Sequence, residues 1–104
     1  MKEINTSEFR TKINNGEKVV VDFFATWCGP CKALIPMLES IQNNYEGVEF
    51  VKMDVDKNTD LAIEMGIRSV PTVILFEGTK ELKRTTGANS SLFYNKLINE
   101  TFNI

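Results

Sequence analysis

The chain has 104 residues, 42% hydrophobic and 25% charged, with 12 Lys and Arg against 14 Asp and Glu. That length builds one hydrophobic core over a single domain, residues 1–104, and is too short for two. A net charge of −2 with scattered basic residues excludes the cationic footprint that nucleic-acid phosphates require, and no run of ~18 apolar residues is present to cross a membrane.

Lys2 to Ile4 reads as a short strand. Asn5 and Glu8 stand at capping-box spacing, so a helix is expected there, with Phe9 and Ile13 facing the core and Asn15-Gly16 ending it. Lys18 to Phe24 is apolar on both faces except at Asp22, the pattern of a central strand covered on both sides. A second helix is predicted from Cys31 or Lys32 to Tyr45, burying Leu34, Met37, Leu38, Ile41 and Tyr45, with Pro36 bending its interior. Val48 to Met53 follows as a strand that turns Val48, Phe50 and Lys52 to one face and Glu49, Val51 and Met53 to the other. A short helix is expected from Asn58 or Thr59 through Met65, stopped by Gly66. Thr72 to Glu77 and Lys80 to Thr86 flank Gly78-Thr79, where glycine at the first central position suits a type II′ turn and an antiparallel hairpin. Asn89 is expected to cap a last helix that buries Phe93, Leu97, Ile98 and Phe102. This order of elements indicates an α/β layer fold with a mixed sheet and right-handed parallel crossovers.

Both cysteines fall in Trp27-Cys28-Gly29-Pro30-Cys31-Lys32, between the central strand and the second helix. Gly29 and Pro30 are turn residues, and a two-residue gap lets the pair close as a small disulfide ring or open as two thiols. At or just before a helix N-terminus, Cys28 would meet unpaired N–H groups and the positive end of the dipole, which favour thiolate over thiol. The alternatives are an incidental buried pair or half of a zinc site shared by two chains. With two cysteines and no histidine, one chain cannot complete a four-ligand zinc site, so no metal is assigned. The stretch Met1–Thr6 has no apolar core of a signal peptide, which implies a cytoplasmic location. A lasting structural disulfide is uncommon there, and a close pair is more often catalytic or metal-binding. Asp22 is either a buried carboxylate whose pKa is raised into the proton-transfer range or an exposed strand-end residue. Lys52 is either its electrostatic partner or an exposed strand lysine, and Trp27 either a surface aromatic or plain core.

At these residues the chain resembles the thioredoxin family, because Trp27-Cys28-Gly29-Pro30-Cys31-Lys32 is similar to that family's active site. Asp22, Pro36, Lys52, Ser69-Val70-Pro71-Thr72 and Gly87 also fall where thioredoxins carry their equivalents, extending the resemblance over essentially the whole chain. It implies the thioredoxin fold, a central mixed five-stranded sheet flanked by four helices. It further implies a protein-disulfide reductase without a bound cofactor. In that reading Cys28 attacks the substrate disulfide, Cys31 resolves the mixed disulfide, Asp22 accepts the Cys31 proton and Lys52 modulates Asp22. By the same resemblance Pro71 is cis, the backbone of Val70 pairs with an extended substrate peptide, and Trp27, Gly29, Pro30, Val70 and Gly87 form a flat docking surface. The implied partners are disulfide-containing substrate proteins and a thioredoxin reductase, with the chain acting as a monomer. Oxidising relatives usually carry a histidine between the cysteines, and this chain has none.

Overall fold

Five strands pair in the order β1-β3-β2-β4-β5 in the computed structural model, which describes residues 1–104. They are β1 (Lys2–Glu3), β2 (Lys18–Phe24), β3 (Val48–Asp54), β4 (Thr72–Glu77) and β5 (Lys80–Thr86). Four helices alternate with them: α1 (Thr6–Asn14), α2 (Gly29–Ile41), α3 (Thr59–Glu64) and α4 (Ser91–Phe102). The middle strand, β2, runs parallel to β3 with Asp22 opposite Lys52, and antiparallel to β4 with Asp22 opposite Val73. Strands β4 and β5 form the expected hairpin, whose turn places Gly78 at a positive φ of 59°.

Alternation along the strands divides the core. Val19, Val21 and Phe23 of β2 join Val51, Met53 and Ile74 on one face, where Phe9 of α1 and Leu61 of α3 cover them. Val20 joins Phe50, Val73 and Leu75 on the other face, under Leu34 and Leu38 of α2 and Tyr94 and Ile98 of α4. With helices on both sides, β2 must be apolar at successive positions, which explains its composition and isolates Asp22 as the exception.

The capping box forms as read: Asn5 Oδ1 accepts from the Glu8 N–H at 2.9 Å, and Glu8 Oε1 accepts from the Asn5 N–H at 3.0 Å. Both ends of α2 and the start of α4 differ from expectation. Helix α2 already starts at Gly29, because proline is tolerated in a first turn, where its missing N–H would have no partner anyway. It ends at Ile41, and a 3₁₀ turn over Gln42–Asn44 then carries Tyr45 into the core. Helix α4 is capped by Ser90, whose Oγ accepts from the Phe93 N–H at 3.1 Å, and not by Asn89. Tyr94, Ile98 and Phe102, one turn apart, are therefore its buried residues, while Phe93 lies about 100° round the helix and is 42% exposed.

Candidate active site

Strand β2 ends at Phe24 and delivers the chain to the carboxyl edge of the sheet, where open α/β sheets place their sites. Cys28 is the N-cap of α2, in extended backbone conformation (φ −86°, ψ 112°). Its Sγ accepts from the Cys31 N–H at 3.2 Å, one of the donors that a helix start leaves without an intrahelical partner. Cys28 and Cys31 are joined as a disulfide with their Cα atoms 5.4 Å apart. Both are buried, Cys31 at 1% exposure and Cys28 at 4%, in a cluster with Phe24 and Ala25 against which Ile35, Val55 and Val70 pack. Gly29 and Pro30 stand exposed beside them at the start of the helix.

The loop before β4 supplies the opposite wall. The Val70–Pro71 peptide bond is cis, and the Val70 carbonyl oxygen lies 3.6 Å from Cys28 Sγ. Thr72 Oγ1 donates to the Ser69 carbonyl at 2.7 Å, bracing this loop from within. At the end of β5, Gly87 adopts φ 88°, a region open to glycine and strained for other residues, and its N–H donates to the Pro71 carbonyl at 2.9 Å. Val70, Pro71 and Gly87 are thus brought together with the cysteine pair.

Trp27 is 70% exposed, which removes the reading of it as core. Its indole N–H donates to Asp56 Oδ2 at 2.9 Å. The Asp56 backbone N–H in turn donates to Asp54 Oδ1 at 2.8 Å, and the Val55 N–H to the Phe24 carbonyl at 2.9 Å, so the loop after β3 is tied to the end of β2. Between Trp27 and Val70 lies a groove of about 140 Å³ floored by Val55 and Ile67. A larger hollow of about 370 Å³ lies among Glu17, Lys18, Gly47, Val48 and Glu49, where β2 and β3 begin, at the opposite end of the sheet from the cysteines.

Asp22 is fully buried, so it is not an exposed strand-end residue. Neither carboxylate oxygen meets a hydrogen-bond donor, and burial pushes its pKa from 3.8 up to about 7 against the opposing pull of Lys52. It shares the α2/α4 face with Val20 and with Phe24, the residue that packs on both cysteines. Lys52 is half-buried, with its ammonium 5.6 Å from the centre of the Phe24 ring. It acts on Asp22 through the field and makes no direct hydrogen bond to it. A disulfide thus stands at a helix N-terminus, and the strand that leads to it holds a buried carboxyl group whose pKa is raised to about 7.

Two contributors are absent from the reading of the sequence: Asp56, which holds the indole, and Tyr94, whose hydroxyl donates to the Gly87 carbonyl at 3.1 Å. Asp56 is 29 residues from Trp27, and the Tyr94 hydroxyl reaches from α4 to the end of β5, so no periodic spacing marks either.

A family model described as Thioredoxin matches residues 1–100. Thioredoxin-2 of Saccharomyces cerevisiae is 46% identical over 86 residues, 82% of this chain and 83% of that protein. The mitochondrial Thioredoxin-3 of the same yeast is 42% identical over 85 residues, 82% of this chain and 67% of that protein. The X-ray structure of Fasciola hepatica thioredoxin superposes with a TM-score of 0.88 at 34% identity, covering 97% of this chain and 99% of that one.

Proposed function

This chain belongs to the thioredoxin family, and from that membership we propose how its residues divide the work of dithiol–disulfide exchange. The protein is a protein-disulfide oxidoreductase that works through Cys28 and Cys31. In the reduced protein the Cys28 thiolate attacks one sulfur of a substrate disulfide, forming a mixed disulfide and releasing the other sulfur as thiolate. Asp22 takes the proton from Cys31, directly or through a solvent molecule. The Cys31 thiolate then attacks Cys28 Sγ, freeing the second substrate sulfur and leaving the Cys28–Cys31 disulfide. Two electrons have passed to the substrate, and a thioredoxin reductase, as is typical of the family, returns them.

The observation that carries this division is the asymmetry at the N-terminus of α2. Cys28 Sγ receives a backbone N–H and faces the Val70 edge, while Cys31 lies deeper, at 1% exposure against 4% for Cys28. Lys52 limits how far the Asp22 pKa rises. Trp27, Gly29, Pro30, Val70 and Gly87 form the docking edge, with Pro71 shaping its centre, and an extended substrate peptide pairs with the Val70 backbone. No helix is long and apolar enough to cross a membrane. We place the protein in the cytoplasm as a monomer of one domain, residues 1–104; cell fractionation and sedimentation test those points, since one similar protein is mitochondrial.

The test is insulin reduction driven by dithiothreitol. The chain should accelerate it well above dithiothreitol alone, and Cys28→Ser should remove the acceleration. Equal rates with and without the protein would rule out the reductase reading.

A further inference from the structure

We propose that Tyr94 is a positioning residue for substrate: its hydroxyl holds the Gly87 carbonyl and, through Gly87, sets the Pro71 loop against which a substrate peptide docks. This rests on the docking edge described above. The ring of Tyr94 is fully buried in the α2/α4 core, set edge-to-face on Phe93 with centroids 5.3 Å apart. A phenylalanine would fill the same space, so packing alone does not need the hydroxyl. A buried hydroxyl without a partner is unfavourable, and this one finds its acceptor outside its own helix, in the backbone at the end of β5.

Gly87 is then bonded on both sides. Its N–H donates to the Pro71 carbonyl at 2.9 Å, and its carbonyl accepts from Tyr94 at 3.1 Å. A relay of two hydrogen bonds thus runs from the interior of α4 to the loop that faces Cys28. A Cβ at Gly87 would meet nothing within 4 Å, so its φ of 88°, and not crowding, is what demands glycine there. A backbone so free to move needs external ties to hold one conformation. The Asn89 amide is a weaker tie, shared among Thr85 Oγ1 at 3.3 Å, the Thr86 carbonyl at 3.2 Å and the Gly87 carbonyl at 3.4 Å. Burial also raises the phenol pKa, which keeps Tyr94 a donor throughout the neutral range.

The experiment compares the parent with Tyr94→Phe, using insulin and hydroxyethyl disulfide as substrates and hydrogen exchange at the Gly87 amide. In the variant, KM for insulin should rise about threefold to tenfold, the factor one neutral hydrogen bond carries, with kcat changed less than twofold. KM for hydroxyethyl disulfide, too small to use the edge, should stay within twofold. Exchange at Gly87 should quicken by a similar factor. An unchanged KM for insulin would overturn the proposal, as would an equal loss toward both substrates, which marks a purely structural role. Failure of the parent to reduce insulin would instead refute the functional reading, and the Gly87 exchange rate would then decide whether Tyr94 holds the loop.

Discussion

On the face covered by α1 and α3, Val19, Val21 and Phe23 of β2 join an apolar cluster, with the buried Thr72 opposite Phe23, whereas on the face covered by α2 and α4 the same strand sets a carboxyl group beside Val20 and Phe24. One strand feeds both environments through alternate residues. The α1/α3 face is a plain core, and its burial lets the other face keep an unpartnered acid without loss of the fold. The difference teaches that an apolar core and a buried titratable group are kept apart here by side-chain parity and not by distance along the chain.

The sharpest break in that comparison is at the sulfurs. Cys31→Ser should accumulate a stable mixed disulfide with substrate protein, since a hydroxyl cannot displace the bound sulfur, while Cys28→Ser should trap nothing. Turnover should vanish in both, and non-reducing electrophoresis with mass spectrometry reads the adducts. Trapping by Cys28→Ser alone would invert the roles.

On the apolar face, Phe9→Ala removes a ring that is 1% exposed and set edge-to-face on Phe76 at 5.3 Å. It should lower unfolding free energy by about 3–5 kcal/mol in urea while the activity of the folded fraction stays unchanged. Lost activity in folded Phe9→Ala would erase the division between faces.

Asp22→Asn probes the reactive face by pH. The folded pKa of about 7 lies above the ordinary 3.8, so the folded state binds the extra proton between those values. The parent's stability from this group is therefore intact below pH 3.8 and falls as pH rises to about 7, by up to about 4 kcal/mol at ~1.4 kcal/mol per unit. Urea unfolding at pH 5 and pH 8 should show the part of that decline above pH 5, about 3 kcal/mol, in the parent and its absence in Asp22→Asn. Mixed-disulfide resolution should also slow in the variant, most near neutral pH, where the parent carboxylate is partly ionised. Matching pH profiles of stability would show that Asp22 titrates normally.

The smallest effect is expected at the capping box. Asn5→Ala deletes the acceptor for the Glu8 N–H and should be unfavourable by about 1 kcal/mol, with insulin reduction untouched.

Much of the site was legible because its signals are local. The cysteine spacing, the strand before it and the acid inside that strand are neighbours in sequence, and one carboxylate in an apolar run is conspicuous. The strand faces followed from alternation, as Phe50 and Val51 show by entering opposite cores. What escaped depends on offsets of one residue or on distant partners. Phe93 and Tyr94 are both aromatic, and only the choice of Ser90 over Asn89 as cap decides which is buried. Gly29 and Pro30 signal a turn and a helix start equally well, so local residue type does not settle the first residue of α2. The hydrogen bonds Trp27–Asp56 and Tyr94–Gly87 join separate elements and carry no period.

The central place of β2 bears on how the protein is made. Both of its hydrogen-bonded neighbours, β3 and β4, follow the cysteines in the chain, and the nearer of them must pair parallel by way of an intervening helix. Such non-local pairings are slow to form, because the loop must close before any contact offsets its entropy. A nascent polypeptide emerging from the ribosome therefore presents both thiols before the scaffold that restrains them exists. Until β4 is translated and docked, Cys28 and Cys31 are ordinary cysteines, open to stray oxidation, and redox selectivity arrives only with the second half of synthesis.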